Sequence, residues 1–225
     1  MTPAALDNLG PRVLVTDFDG TLTAVDFFDV VLQHVPTDTM PDYWGECVAG
    51  RLTHVEALNG IFQHAPRDLA TIERWLPETQ LDPRTPAGIR ALRAAAWDIV
   101  VVSAGSEWYI HRILHEVEDD VRIIANPGGF SPEEGLSMTW PDRDLPWYDA
   151  HFGIDKSQIV RQLLGQGKTV AFAGDGRPDL AAARQVTAPL RFARGWLSEM
   201  LTAEGLDHHP FERWSEIMSV LVAGG

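Results

Sequence analysis

Residues Val13–Phe28, VLVTDFDGTLTAVDFF, decide how the chain is read. The run Val13-Leu14-Val15 is apolar and continuous, as in a strand buried on both faces, whereas a half-exposed strand alternates. It gives way to Asp17 and Asp19, one residue apart, followed directly by Gly20 and Thr21. Two carboxylates this close repel each other unless a cation lies between them. Aspartates that merely shape a turn at a strand end are the plain alternative.

Working outward, four more runs have the same character: DIVVVSAG (98–105), VRIIAN (121–126), TVAFAGDG (169–176) and LRFARG (190–195). Between them lie helical patterns, TPAGIRALRAAA (85–96), SEWYIHRILHEV (106–117), DKSQIVRQLLGQG (155–167) and RPDLAAARQV (177–186), several closed by Gly, Asn or Pro. Strand and helix in alternation predict a doubly wound α/β sheet, mostly parallel, of Rossmann type. Residues 26–82 break the pattern. They hold no convincing strand and read as helices (DFFDVVLQHV, HVEALNGIFQHA, DLATIERWL), so a small helical insertion is expected there, with 1–25 and 83–225 forming the core. NPGGFSPEEGLSMTWPDRDLP (126–146) is turn-rich and predicts a short hairpin plus loop.

The 225 residues are enough for one sizeable core with an inserted module. A formal net charge of −14 argues against nucleic acid or an anionic membrane as partner, while leaving room for a small anion at a local cationic site. The single cysteine, Cys47, cannot form an internal disulfide, which suits a reducing compartment. No basic segment leads into a long apolar run at the start and no run has the length of a bilayer span, so a cytoplasmic location is expected.

In open α/β sheets ligands bind beyond the carboxyl ends of the strands. The polar residues that interrupt these apolar runs fall at that edge: Asp17, Asp19, Ser103, and Asp175 with Asp179. Three carboxylates converging there call for a hard cation, and magnesium with substrate phosphate is the usual arrangement. Gly20, Gly105, Gly174 and Gly176 would let backbone N–H groups approach phosphate oxygens. Lys156, one of only two lysines against sixteen arginines, stands where a helix N-terminus also favours an anion. GQGKTV (165–170) lacks the leading glycine of a phosphate loop, with Gln162 in its place, and precedes a strand instead of following one. His208 and His209 read as exposed loop residues, and most of the eight tryptophans as packing, with Trp44, Trp108 and Tyr109 as candidate exceptions.

In order and approximate spacing, DFDGT, VVSAGS, DKSQIV and GDGRPDLAAA resemble the four motifs of the haloacid dehalogenase-like phosphatases. The helical insertion resembles the C1 cap of the phosphoserine-phosphatase-like branch. GLSMTWPDRD, FGIDKSQIVRQL and FARGWLSEML…GLDHHPFERWSEI resemble the methionine-salvage phosphatases that act on 2-hydroxy-3-keto-5-methylthiopentenyl-1-phosphate, although WYDAHFGIDK lacks the cysteine cluster common there. The resemblance implies a phosphomonoesterase working through an aspartyl-phosphate. Asp17 is then the nucleophile and Asp19 the acid–base group. Mg²⁺ is held by the Asp17 carboxylate, the Asp19 carbonyl and Asp175. Gly20, Thr21, Ser103, Ala104, Gly105 and Lys156 bind phosphate, and Asp179 supports Lys156 or a metal-bound water. The partner is a small phosphorylated metabolite. Asp26, Phe27, Phe28, Trp44 and Arg51 are candidate cap residues facing the leaving group. The arginine that holds the carboxylate of phosphoserine aligns with Asn59, and Arg51 is the nearby substitute. Two alternatives stay open, a phosphoserine phosphatase and a non-catalytic phosphometabolite-binding module. A dehalogenase needs neither Asp19 nor Asp175.

Overall fold

The computed structural model describes residues 6–223. The chain runs β1 (Arg12–Thr16), α1 (Phe27–His34), α2 (Tyr43–Val48), α3 (His54–Phe62), α4 (Leu69–Trp75), α5 (Thr85–Ala94), β2 (Trp97–Ser106) and α6 (Glu107–Ile113). It continues β3 (Val121–Asn126), β4 (Gly128–Ser131), β5 (Gly135–Met138), β6 (Tyr148–Asp149), β7 (Gly153–Ile154) and α7 (Lys156–Gly165). Then follow β8 (Thr169–Gly174), α8 (Leu180–Ala183), β9 (Arg191–Ala193), α9 (Gly195–Ala203), β10 (His209–Pro210) and α10 (Ser215–Ala223). Six strands form one sheet in the order β10-β9-β8-β1-β2-β3, every neighbouring pair parallel. This is the α/β sheet that the apolar runs predict.

Strand residues alternate between two apolar layers, which explains why the runs are continuous. Leu14, Ile99, Val101 and Ala171 face a layer that includes Ile89, Leu92, Trp214 and Ile217. Val13, Val15, Val100 and Phe172 face Ile159, Val160, Leu163 and Leu197. Trp214 is tied to the sheet by its indole N–H, which donates to Thr16 Oγ1 at 3.0 Å.

Between β1 and α5 the described chain is helical. It leaves at Thr23–Val25 and returns at Thr79–Asp82, the two crossings bonded together: Ala24 N–H and Val25 N–H donate to Thr79 O, and Asp82 N–H to Leu22 O. Thr53 and Glu56 close a capping box that starts α3. The helices do not bury a separate core: Phe27, Val31, Leu58, Ile61, Phe62 and Ile72 belong to the same apolar layer as Leu14 and Ile99. The turn-rich stretch contains the expected hairpin, β4 paired antiparallel with β5.

Four elements, the strands β6, β7 and β10 and the six-residue α2, escape the sequence reading because they are too short for any periodicity to show, whereas β9 lies within the apolar run read at 190–195. His209 is accordingly no exposed loop residue: it extends the sheet edge beside Phe192, and both it and His208 are half-buried. Among the described residues no helix is long and apolar enough to cross a membrane.

The two-layer core makes a stability prediction. Leu14→Ala, in the central strand, is expected to cost about 2–5 kcal/mol. Val220→Ala, at a position 36% exposed, should stay within about 0.5 kcal/mol. Urea denaturation measures both, and comparable values for the two would contradict the placement of the core.

Candidate active site

The strand order reverses beside β1: the chain proceeds outward through β2 and β3, then returns to β8 on the other side. That reversal opens a crevice at the carboxyl ends of the strands. Asp17 follows β1, its N–H donating to Ala173 O of β8 at 2.9 Å. The next turn winds tightly around the Phe18 carbonyl, which accepts from the backbone N–H groups of Thr21, Leu22 and Thr23. Gly20 has φ +70°, and a Cβ there would run into the Asp175 carboxylate, so only glycine serves. Thr21 donates its hydroxyl to Asp175 Oδ1 at 2.8 Å and its N–H to Phe18 O. Its hydroxyl is engaged by Asp175 and its N–H by Phe18 O, which corrects the expectation that Thr21 binds phosphate.

Lys156 opens α7, whose start is fixed by Asp155 accepting from the N–H groups of Ser157 and Gln158. Its ammonium is buried, 2.5 Å from Asp17 Oδ1 and 2.7 Å from Asp179 Oδ1. The other oxygen of Asp179 accepts from the N–H groups of Asp175 and Gly176, at 3.1 and 3.0 Å. One buried aspartate thus orients both the lysine and the loop that carries Asp175.

Carboxylate oxygens of Asp17, Asp175 and Asp179 lie within 4.8 Å of one another. Burial, then the charge of Asp179, pushes the Asp17 carboxyl well above its usual range, and the same two causes push Asp175 up to about 6. Three carboxylates against one ammonium leave an excess of negative charge in a site of hard oxygen donors. The residues therefore fit a hard divalent cation. The carboxylate of Asp19 stands outside this cluster. Its Oδ1 accepts from Phe27 N–H at 3.1 Å, and its Oδ2 from the hydroxyls of Tyr109 at 2.5 Å and Ser103 at 3.4 Å.

Ser103 lies where the β2–β3 register shifts, between Val102 and Ser106. Such a bulge re-aims side chains at a strand end. Its Oγ accepts from Gly105 N–H at 2.9 Å. Asn126, buried, donates through Nδ2 to Ala104 O and Phe152 O, tying this turn to the segment before α7.

These residues line a cavity of about 540 Å³. Asp17, Asp19, Ser103, Ala104, Gly105, Lys156 and Asp175 meet there, with Asp26, Phe28 and Trp44 from the helical segment. Phe28 and Trp44 are stacked, centroids 4.6 Å apart. Two expectations are corrected. Arg51 does not reach the cavity: its exposed guanidinium is paired with Glu46 at the end of α2. Phe27 is fully buried against Tyr109 and Phe62, so it is a core residue and not a wall. Sequence reading missed His54, His151, Phe152, Arg177 and Trp196, which also line the cavity. Only the approach to the lysine motif, AHFGIDK, carried any local signal for His151 and Phe152.

A model of the haloacid dehalogenase-like hydrolase family matches residues 14–184, which include every carboxylate of this site. The chain belongs to that family. Among haloacid dehalogenase-like hydrolases it resembles the 2-hydroxy-3-keto-5-methylthiopentenyl-1-phosphate phosphatase of Geobacillus kaustophilus, 27% identical over 93% of this chain and 94% of the relative. The Bacillus cereus protein of the same name is 25% identical over 91% and 93%. A substrate-bound phosphoserine phosphatase superposes with a TM-score of 0.66 at 16% identity, covering 94% of this chain and 98% of that one, a likeness of fold.

The electrostatics of the site make stability depend on pH. Burial, then the charges of Asp19 and Asp175, pushes Asp26 up to about 8, so the fold binds this proton more tightly than the unfolded chain does. The stability gained is complete below the ordinary value of 3.8 and is lost as pH rises through about 8. His54, pushed down to about 3 by burial and then by His151, acts oppositely, its contribution lost only as pH falls below its ordinary 6.5. In EDTA the unfolding midpoint is therefore expected to fall between about pH 6.5 and 8. Asp26→Asn should flatten that slope; an unchanged slope would mean that Asp26 is ionised throughout.

Proposed function

We propose that this protein is a magnesium-dependent phosphomonoesterase, working through an aspartyl-phosphate on Asp17. The observation that carries this reading is the buried Asp17–Lys156–Asp179 set beside Asp175 at the floor of a cavity. A carboxylate so placed is a nucleophile held by a cation that can also receive phosphate oxygens.

In the first half-reaction an oxygen of Asp17 bonds to phosphorus as the bond to the leaving oxygen breaks. The electron pair stays on that oxygen, which takes a proton from Asp19. In the second, Asp19 takes a proton from water as the water oxygen attacks phosphorus, returning Asp17 and releasing phosphate. Ser103, the backbone at Gly20, Ala104 and Gly105, and Lys156 bind the remaining oxygens. Asp17 and Asp175, with the carbonyl of Asp19, would hold Mg²⁺. Bound there, the ion neutralises the charge that otherwise keeps an anionic nucleophile from an anionic phosphate. Residues 26–82 act as a cap on a core formed, among the described residues, by 6–25 and 83–223, the ends of the expected 1–25 and 83–225 lying outside them, and shield the intermediate from bulk water.

For the leaving group, the features of the cavity favour a molecule without a carboxylate. Asn59, aligned with the carboxylate-binding arginine of phosphoserine phosphatases, is engaged elsewhere, its Oδ1 accepting from Met138 N–H at 3.0 Å. Arg51 is tied to Glu46 outside the cavity. Arg177 also lines the cavity, its guanidinium 5.3 Å from the Trp196 ring centroid, and a carboxylate held in the cap away from it would cost about 1–3 kcal/mol or more. Phe28, Trp44 and Phe152 offer apolar walls instead. This supports an enol-type phosphate of methionine-salvage size, the substrate class named for the relatives, acted on in the cytoplasm.

With p-nitrophenyl phosphate as a general substrate, Asp17→Asn is expected to abolish turnover without unfolding the protein. Asp19→Asn should lower kcat by about 10²–10⁴-fold through the second half-reaction, in which Asp19 takes a proton from water, and EDTA should abolish activity until magnesium is restored. Full activity in Asp17→Asn or in EDTA would remove the mechanism. In a panel of metabolite phosphates ranked by kcat/KM, the enol-phosphate should exceed phosphoserine by about tenfold or more, the factor equivalent to 1.4 kcal/mol. Phosphoserine ranking first would support the phosphoserine phosphatase reading.

A further inference from the structure

We propose that Tyr109 is the positioning residue for Asp19, its hydroxyl holding the carboxyl in one orientation through both half-reactions; this rests on the reading of Asp19 as the group that moves the proton. Tyr109 is buried, 1% exposed, and donates to Asp19 Oδ2 at 2.5 Å. Phe27 N–H holds the opposite oxygen at 3.1 Å, so the carboxyl is gripped at both ends. The tyrosine ring is itself fixed. Its centroid lies 4.6 Å from Phe27, 6.0 Å from Phe18 and 6.3 Å from Phe62.

A separate observation points the same way. A Cβ at Gly105 would collide with the Tyr109 hydroxyl and come within 2.7 Å of Asp19 Oδ2. The turn that presents Ser103 thus leaves room for this one hydrogen bond. Ring packing alone would be served by phenylalanine, so the hydroxyl needs its own account. A buried hydroxyl with a partner supplies part of it. The identity of that partner supplies the rest, because without it only Phe27 N–H and, at 3.4 Å, the Ser103 hydroxyl would restrain rotation of the carboxyl about its last bond. A proton donor must present its proton at one place, and misplacement by about 1 Å can cost 10²-fold. Once the proton has gone, Tyr109 donates to a carboxylate, and a hydrogen bond to a charged acceptor is the stronger kind. The hydroxyl thus favours the state that proton donation creates, and keeps the carboxylate aimed for the proton it takes next.

The test compares Tyr109→Phe, Asp19→Asn and the unaltered protein, with magnesium, on two substrates. One is p-nitrophenyl phosphate, whose stabilised phenolate leaves without needing a proton. The other is a simple alkyl phosphate, whose alkoxide does need one. The quantity read is the ratio of the two kcat/KM values on a single preparation, in which any misfolded fraction cancels. Tyr109→Phe is expected to lose about 10- to 100-fold on the alkyl phosphate and less than about threefold on the nitrophenyl ester, a part of the 10²–10⁴-fold typical of the proton-transfer group itself. Asp19→Asn should show the same bias more strongly. Equal losses on both substrates in Tyr109→Phe, or none on either, would reduce Tyr109 to packing and overturn the proposal. A loss in Asp19→Asn that is equal on both substrates would instead overturn the reading of Asp19, and the proposal with it.

Discussion

One ammonium group lies between two buried carboxylates, and the rim of the cavity is arranged around it. Lys156 meets Asp17 and Asp179, contributed by the end of β1 and the turn after β8. Burying an ion pair seldom stabilises a protein outright, because removing both charges from water costs several kcal/mol each. Here the imbalance is greater still, since Asp175 adds a further carboxylate beside the same cation. Such a cluster is a liability for folding and an asset for chemistry. Its charges act at low dielectric, and the shell around them is already oriented. Asp179 shows the economy of the arrangement. One of its oxygens fixes the lysine and the other fixes the loop of Asp175, so the positive and negative halves of the site share one support.

What the sequence revealed follows from which contacts are local. The strands were legible because both faces of the sheet are covered, making Val13–Val15 and Ile99–Val102 continuous apolar runs. Asp17, Asp19, Asp175 and Asp179 were legible because each interrupts or follows such a run, at the edge where ligands bind. Ser103 and Lys156 had little signal by themselves and gained meaning only from their neighbours. Tyr109 was visible as a residue beside a motif, but its bond to Asp19 spans 90 positions and leaves no local trace. The same holds for Asn126, His54 and Trp196. Arg51 failed for a different reason: nearness in sequence suggested nearness to the cavity, while Glu46, five residues back on the same exposed turn, was the better partner. Phe27 and Phe28 look alike in sequence, and only the rotation of α1 decides which ring is core and which is wall.

The aromatic cluster at the junction joins the two parts of the chain more tightly than an inserted module requires. Phe27 and Phe62 from the helical segment meet Phe18 and Tyr109 from the sheet edge beside the Asp19 carboxylate. The crossings at Thr23–Val25 and Thr79–Asp82 are bonded side by side, so the segment is anchored at its base through backbone and side chains together. On the far side Trp44 and the exposed Val48 border the cavity.

Trp44 and Trp196 give the cavity a property unrelated to catalysis. Each indole lines the space a ligand would fill, whereas Trp147 and Trp214 are sealed in the interior. Two kinds of intrinsic fluorophore are thus present among its tryptophans, beside the half-exposed Trp140. Emission from the enclosed indoles reports the integrity of the fold, and emission from the two at the cavity reports the polarity of whatever lies beside them. A ligand that displaces water from that wall changes the second signal and leaves the first, so occupancy is readable in the unlabelled chain.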